Sequence, residues 1–253
     1  MILEDFSLEG KTALVTGAAT GLGKALASGL AEAGATLTLV TRKSPLENIA
    51  SEIRSLGTTP LCLTADLSIA SERERVVLET TEQFGRIDIL VNNAGITLRR
   101  PAEEFSMDEW SQILELNLNA VFHLCQLAGK QMLKQGSGKI INIASLTSFL
   151  GGILVAPYAA SKGAVGQLTK ALASEWAARG VNVNAIVPGY FHTPMGEPLY
   201  NDPLRMPQIL QRIPAGDIGV PDQLKGAVVF LASKASDYVH GHLLAVDGGW
   251  LAR

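Results

Sequence analysis

Short, almost uninterrupted apolar runs recur along this chain and alternate with longer segments of helical period. Ile87-Asp88-Ile89-Leu90-Val91 and Ile140-Ile141-Asn142-Ile143 are typical. A strand with one wet face alternates apolar and polar side chains, but a strand covered on both faces has no polar side to keep. These runs therefore predict a buried, parallel sheet. They place strands over Thr12–Thr16, Thr36–Thr41, Pro60–Ala65, Ile87–Asn92, Lys139–Ala144, Val181–Val187 and Leu243–Val246. Helical period falls over Gly21–Ala33, Pro45–Leu56, Ala70–Phe84, Met107–Lys134, Pro157–Arg179 and Pro221–Ser233. Several of these stretches stop at a glycine (Gly34, Gly57, Gly85, Gly180), the residue that takes a left-handed C-terminal cap without steric cost. Repeated βα units close by right-handed crossovers, which predicts an α/β, doubly wound, predominantly parallel seven-stranded sheet with helices on both faces. No linker or low-complexity tract divides the chain, so residues 1–253 read as one domain. The segment from about 188 to 207, rich in Pro, Gly, His and Tyr, is expected to be an irregular lid over a substrate.

Composition narrows the function classes. Apolar residues make up 47% of the chain and 21 basic side chains face 24 acidic ones, for a formal charge of −3. A weakly acidic chain without a basic block lacks the means to neutralise a nucleic-acid backbone, so no nucleic-acid partner is expected. Cys62 and Cys125, far apart in sequence, build neither a disulfide framework nor a CxxC motif, which fits a reducing cytoplasm. The stretch from Lys139 to Lys162 carries no formal charge between its ends and is long enough to span a bilayer. Asn142, Ser145, Thr147, Gly151, Gly152 and Pro157 interrupt it, so it reads as a strand, a loop and a helix start, and no membrane partner is expected.

The first strand runs into Gly17-Ala18-Ala19-Thr20-Gly21-Leu22-Gly23 and then a helix. Glycines let backbone amides approach an anion, and a helix N-terminus adds unpaired N–H groups and positive dipole. In a doubly wound fold that position binds the diphosphate of a dinucleotide. The second strand should end at the adenosine ribose, where a carboxylate would bond a 2′-hydroxyl and an arginine would receive a 2′-phosphate. Thr41-Arg42-Lys43 stands there with no carboxylate before Glu47, so NADP(H) is favoured over NAD(H); the other reading is a solvated basic turn. Asp66, followed by Leu67, either contacts the adenine or caps the next helix. Asn92-Asn93-Ala94-Gly95 closes the fourth strand, where asparagines can tie neighbouring strands and a small Ala-Gly backbone can lie against the cofactor.

Tyr158 and Lys162 stand four apart at a helix start and so share a face. An ammonium beside a phenol, with an oxidised nicotinamide nearby, would bring the phenol down from its reference pKa of about 10 and make it a general acid/base near neutrality. Ser145, at the preceding strand end, can donate a hydrogen bond to a substrate carbonyl oxygen. Asn117 interrupts an otherwise apolar helix; buried, it needs partners, and one solution is a water wired to Lys162. Arg99 and Arg100 follow the Asn-Asn-Ala-Gly loop and either bind a sugar-acid carboxylate or form a solvated basic loop. Tyr190 and His192, in the irregular segment, are further substrate candidates. His240 and His242 lack a third ligand, so no metal is expected. Trp250 and Arg253 are expected to pack at a subunit boundary.

Taken together, Thr16-Gly17-Ala18-Ala19-Thr20-Gly21-Leu22-Gly23, Asn92-Asn93-Ala94-Gly95, Asn117, Ser145, Tyr158-Ala159-Ala160-Ser161-Lys162 and Pro188-Gly189 resemble the short-chain dehydrogenase/reductase family over essentially the whole chain. The resemblance implies a seven-stranded Rossmann domain and hydride transfer between a nicotinamide and a carbonyl or secondary alcohol. It also implies Tyr158 as proton donor and acceptor, Lys162 as the residue that lowers its pKa and holds the nicotinamide ribose, and Ser145 as the group orienting the substrate oxygen. Asn117 would support a proton-relay water, and Pro188, Gly189 and Thr193 would cover the nicotinamide. A homodimer or homotetramer is the implied assembly. Within the family the two ends of the chain, Phe6-Ser7-Leu8-Glu9-Gly10-Lys11 and Val246-Asp247-Gly248-Gly249-Trp250-Leu251-Ala252-Arg253, resemble the 2-keto-3-deoxygluconate and gluconate dehydrogenases. Thr41-Arg42-Lys43 departs from the NAD use common in that subgroup. A sugar acid, sugar or polyol is the expected substrate. The alternatives are a 3-oxoacyl thioester reductase and, in another class, a non-catalytic nucleotide-binding scaffold.

Overall fold

The computed structural model describes residues 1–253. Seven strands form one sheet: β1 (Thr12–Thr16), β2 (Thr36–Thr41), β3 (Leu61–Thr64), β4 (Ile89–Asn92), β5 (Gly138–Ile143), β6 (Val181–Pro188) and β7 (Leu243–Val246). Their order is β3-β2-β1-β4-β5-β6-β7, and every neighbouring pair is parallel. Winding reverses between β1 and β4, the switch point that opens a crevice at the strands' carboxyl ends.

The uninterrupted apolar runs are explained by two cores, one on each face. Leu14, Leu90, Ile140 and Val187 belong to one, while their chain neighbours Val15, Ile89, Ile141 and Ile186 belong to the other. The helices α1 (Gly21–Glu32) and α2 (Glu47–Ser55) cover the second core, with α9 (Lys225–Ala232) beside them. The first core is closed by α3 (Ala70–Phe84), α5 (Ala120–Gln135) and α6 (Ala156–Trp176). Gly85 and Gly180 end helical segments at φ 75° and 82°, as their positions in the sequence predict.

Three expectations about the elements are corrected. The single helix expected over Met107–Lys134 is broken: α4 (Met107–Leu114) and α5 are joined by one wider π turn, Glu115–Asn119, in which the Ala120 amide reaches back to the Glu115 carbonyl. The expected helix over Pro221–Ser233 begins as a tight 3₁₀ turn, Pro221–Leu224, before α9. The segment 188–207 is not irregular throughout. It contains α7 (Glu197–Tyr200) and runs into α8 (Arg205–Arg212), whose Pro207 falls in the first turn, where its missing N–H costs no helical bond. No helix is long and apolar enough to cross a membrane.

Candidate active site

At the β1–β4 switch point lies a cavity of about 650 Å³, walled by the carboxyl ends of the strands, the start of α6 and the segment after β6. Gly17, Thr20, Gly21, Leu22 and Gly23 line one end of it. Gly17 and Gly21 adopt φ 65° and 54°, open to glycine alone without strain. The Thr20 side chain makes no capping bond at the start of α1, which leaves the first-turn amides for a ligand. The loop's shape comes from the end of β4. Asn93 Nδ2 donates to the Thr16 carbonyl at 3.0 Å and the Gly17 carbonyl at 3.1 Å, while Thr16 Oγ1 accepts from the Asn93 and Ala94 amides at 3.0 and 3.1 Å. A β-carbon on Gly23 would lie 2.0 Å from the Gly17 oxygen and 2.4 Å from Asn93 Nδ2. An anion cradle this close-built, with Ala94, Gly95, Pro188, Gly189 and Thr193 along the same cavity, fits a dinucleotide.

At the β2 end, Thr41 and Ser44 line the cavity while Arg42 and Lys43 are exposed just beyond it, without ion-pair partners. Asp66 accepts from the Ser68 hydroxyl at 2.7 Å and amide at 3.0 Å, and these bonds, with smaller help from Arg42 and Lys43, hold its carboxyl below the usual range. It does not cap α3, whose N-cap is Ile69; it closes a side-chain turn instead. Neither Asp66 nor Leu67 lines the cavity, and Leu67 is buried in the core.

Ser145, Tyr158 and Lys162 meet in the same cavity. Pro157 in the first turn of α6 pre-sets the backbone that presents Tyr158, and Lys162 follows one turn on, with its Nζ 5.8 Å from the phenol ring centre. Ser148 Oγ donates to the Lys162 carbonyl at 2.7 Å and accepts from the Ser145 amide at 3.3 Å, locking the β5 end to this helix. Burial pushes the Tyr158 phenol above its ordinary value; the Ser145 hydroxyl and the Arg99 guanidinium oppose that rise. The expected lowering by Lys162 is not among these effects. That ammonium is 4% exposed, donates to the Ile143 carbonyl at 2.5 Å, and is itself pushed down to about 8 by burial.

This gives a pH signature. A lysine at about 8 in the folded chain against 10.5 unfolded has lost, between those values, a proton that the unfolded chain still holds, so stability rises with pH across that window and the cost is full below it. The stability–pH curve of Lys162→Met should lack that rise, diverging from the wild type by about 3 kcal/mol between pH 7.5 and 10.5 in urea unfolding. Parallel curves would show that the ammonium is not held in a desolvated site.

Asn117 is fully buried in the π turn. Its Oδ1 accepts from the Ile96 amide at 2.9 Å, and its Nδ2 donates to the Ile96 carbonyl at 2.9 Å and to Ser161 Oγ at 3.2 Å. Both amide hydrogens are spent inside the protein, so the side-chain N–H group is not the one that meets a water wired to Lys162. The residue pins the loop after β4 to α6.

The remaining candidates divide. Arg99 and Tyr190 line the cavity. Arg100 does not: it pairs with Glu109 at 2.8 Å on the surface. His192 turns away into a second hollow beside Lys24 and Lys225, with its ring edge-on to Tyr200. Trp250, expected at a subunit boundary, is buried within its own chain at 6% exposure and lies 4.9 Å from Tyr190, where it walls the cavity. Sequence reasoning missed Arg205, Arg212 and Trp250 as cavity residues; seven-residue spacing puts the two arginines on one face of α8, a signal available only once that segment is read as a helix. No group of three or more His, Cys, Asp or Glu side chains is placed to hold a metal.

Residues 11–203 match the short chain dehydrogenase family. The chain belongs to that family, and its fold and site are those of a nicotinamide-dependent oxidoreductase. It is 51% identical, over the whole of both chains, to the 2-dehydro-3-deoxy-D-gluconate 5-dehydrogenase of Dickeya dadantii. A crystal structure from Beutenbergia cavernae with NADP bound at low occupancy is 49% identical, with a TM-score of 0.95 over 98% of this chain and 100% of that one. The gluconate 5-dehydrogenase of Burkholderia cenocepacia, solved with NADP and tartrate, is 40% identical, with a TM-score of 0.94 over the whole of both chains.

Proposed function

We propose that the protein couples oxidation of a secondary alcohol, or reduction of a ketone, in a sugar acid to an NADP(H) cofactor. The observation that carries this reading is the meeting of Ser145, Tyr158 and Lys162 in the cavity that begins at the glycine cradle. When bound, the dinucleotide supplies or accepts the hydride. In reduction the Tyr158 hydroxyl gives its proton to the substrate oxygen, and in oxidation it takes one; Ser145 Oγ donates a hydrogen bond to that oxygen and fixes its position. Lys162 keeps a cation within 5.8 Å of the phenol ring, so a proton leaving Tyr158 leaves a charge that is not isolated. Asn117 acts as a positioning residue through Ile96 and Ser161. Relatives named for 2-dehydro-3-deoxy-D-gluconate and gluconate support the sugar-acid class over a 3-oxoacyl thioester, and the convergence of the three polar side chains weighs against a scaffold without turnover. Oxidation of D-gluconate or 2-dehydro-3-deoxy-D-gluconate with NADP is the direct assay; a protein that turned over acyl thioesters alone would overturn the substrate class.

The preference for NADP(H) rests on Arg42 and Lys43 at the rim beside Thr41 and Ser44, and is supported by the NADP-bound relatives. Arg42→Ala should weaken NADPH binding about tenfold, roughly 1.4 kcal/mol, and leave NADH binding unchanged in a fluorescence titration. Equal wild-type affinity for the two reduced cofactors would remove the argument. A reducing, cytoplasmic setting is supported by Cys62 and Cys125, both free. Self-association as a dimer or tetramer is supported by the exposed Met1, Ile2, Leu3 and Tyr238, and light scattering measures it.

A further inference from the structure

The cavity is electrically unbalanced. Arg99, Lys162, Arg205 and Arg212 line it, and no aspartate or glutamate does. Lys162 is committed to the Ile143 carbonyl, but the three guanidiniums have no ion-pair partner. Arg54, Arg73, Arg75, Arg86 and Arg100 each have a carboxylate within 2.9 Å, whereas these three line a cavity that offers none. We propose that Arg205 and Arg212 of α8, with Arg99 in the lining of the same cavity, form the subsite that takes the substrate's carboxylate. This rests on the sugar-acid reading above and names the side chains that select for the acid.

Geometry supports the assignment. Seven residues apart on one helix, Arg205 and Arg212 project from the same face, two turns from each other. Arg212 stacks over Trp250, with its guanidinium carbon 4.1 Å from the ring centre, and a stacked guanidinium keeps its in-plane N–H groups free for a planar anion. The stack is braced from behind. The Ala215 amide donates to the Gly248 carbonyl at 3.0 Å, Arg253 donates to the Gln211 carbonyl, and Tyr190 packs on Trp250. All three arginines bear on one group: burial pushes the Tyr190 phenol up, and Arg205, Arg212 and Arg99 each oppose the rise. Arg99 acts on Tyr158 as well, and all three arginines line the cavity that holds Ser145 and Tyr158. A carboxylate held there presents the rest of a sugar acid to Ser145 and Tyr158, while a neutral polyol of the same length finds no partner for the arginines.

The test compares binding of D-gluconate, 2-dehydro-3-deoxy-D-gluconate and uncharged D-glucitol to the NADPH-loaded protein by calorimetry, in the wild type, Arg205→Ala, Arg212→Ala and the double variant. The wild type should bind at least one of the acids tenfold or more tightly than glucitol. Each single variant should weaken acid binding about tenfold, the double variant should lose the preference, and glucitol binding and NADPH affinity should stay constant. Arg205→Lys should recover part of the loss, since it restores charge without the planar fork. Unchanged acid binding in the double variant overturns the proposal, as does a wild type that does not prefer acids. A matching fall in NADPH affinity also overturns it, by making the cluster a cofactor-phosphate site. Acid binding that depends on the arginines, without turnover of either acid, keeps the subsite and sinks the reaction assigned above.

Discussion

Tyr158→Phe should lower turnover at least a thousandfold and leave the dissociation constant for NADPH unchanged. The variant deletes one hydroxyl and keeps the ring, so the 5.8 Å spacing from the ring centre to Lys162 and the packing of α6 survive. Only the proton donor is lost, and a positioned acid/base contributes on the order of 10² to 10⁴ in rate. Ser145 remains to hydrogen-bond the substrate oxygen, yet it has no base behind it, because Lys162 is turned to the Ile143 carbonyl. The hydroxyl belongs to a half-buried side chain that lines the cavity, so its loss leaves the packing in place and the melting temperature should hold. Steady-state oxidation of a sugar acid, with NADPH binding measured in parallel, separates the outcomes. Activity above about one part in a hundred would mean that another group moves the proton.

Gly23→Ala should cost more than any other single methyl added to this chain's cofactor loop. The added carbon would sit 2.0 Å from the Gly17 oxygen and 2.4 Å from Asn93 Nδ2. Both are fixed, one by the backbone of the loop and the other by two hydrogen bonds to it, so neither can withdraw without opening the clamp on Thr16 and Gly17. Overpacking at rigid sites costs about 1–3 kcal/mol and sometimes more, and here it also distorts the amides that meet the diphosphate. We expect a melting temperature several degrees lower and a cofactor dissociation constant at least tenfold higher. Gly163→Ala is the control: it too lies inside a helix, next to Lys162, with nothing within 4 Å of its added carbon, so it should be neutral or stabilise by up to about 1 kcal/mol. A Gly23→Ala protein that binds NADPH normally would show that the loop is not the cradle.

What could be read from the sequence, and what could not, follows from how local each feature is. The strands were legible because a strand buried on both faces is apolar along its whole length, and β1, β2 and β7 fall on the residues expected. Tyr158, Lys162 and Ser145 were legible because helix spacing and a strand end are local facts. The π turn was not. Asn117 reads as an awkward helix residue, but the widening depends on partners at Ile96 and Ser161, one behind it in sequence and one far ahead. Arg100 and His192 look like neighbours of cavity residues, and side-chain direction alone sends one to Glu109 and the other into a separate hollow. Arg212 and Trp250 meet only after β7 returns beside β6, a contact that no local pattern announces.

The Asn93 clamp has a consequence for how this domain comes into being. Every glycine of the nucleotide loop is in place by residue 23, but the amide that gives the loop its form is borrowed from a residue some seventy positions further along the chain. A fragment ending before β4 would carry the glycine signature without its shape, so a nascent or truncated chain should be blind to dinucleotide until that strand has slotted in beside β1. The motif that looks most portable in this sequence is the one least able to work when transplanted alone.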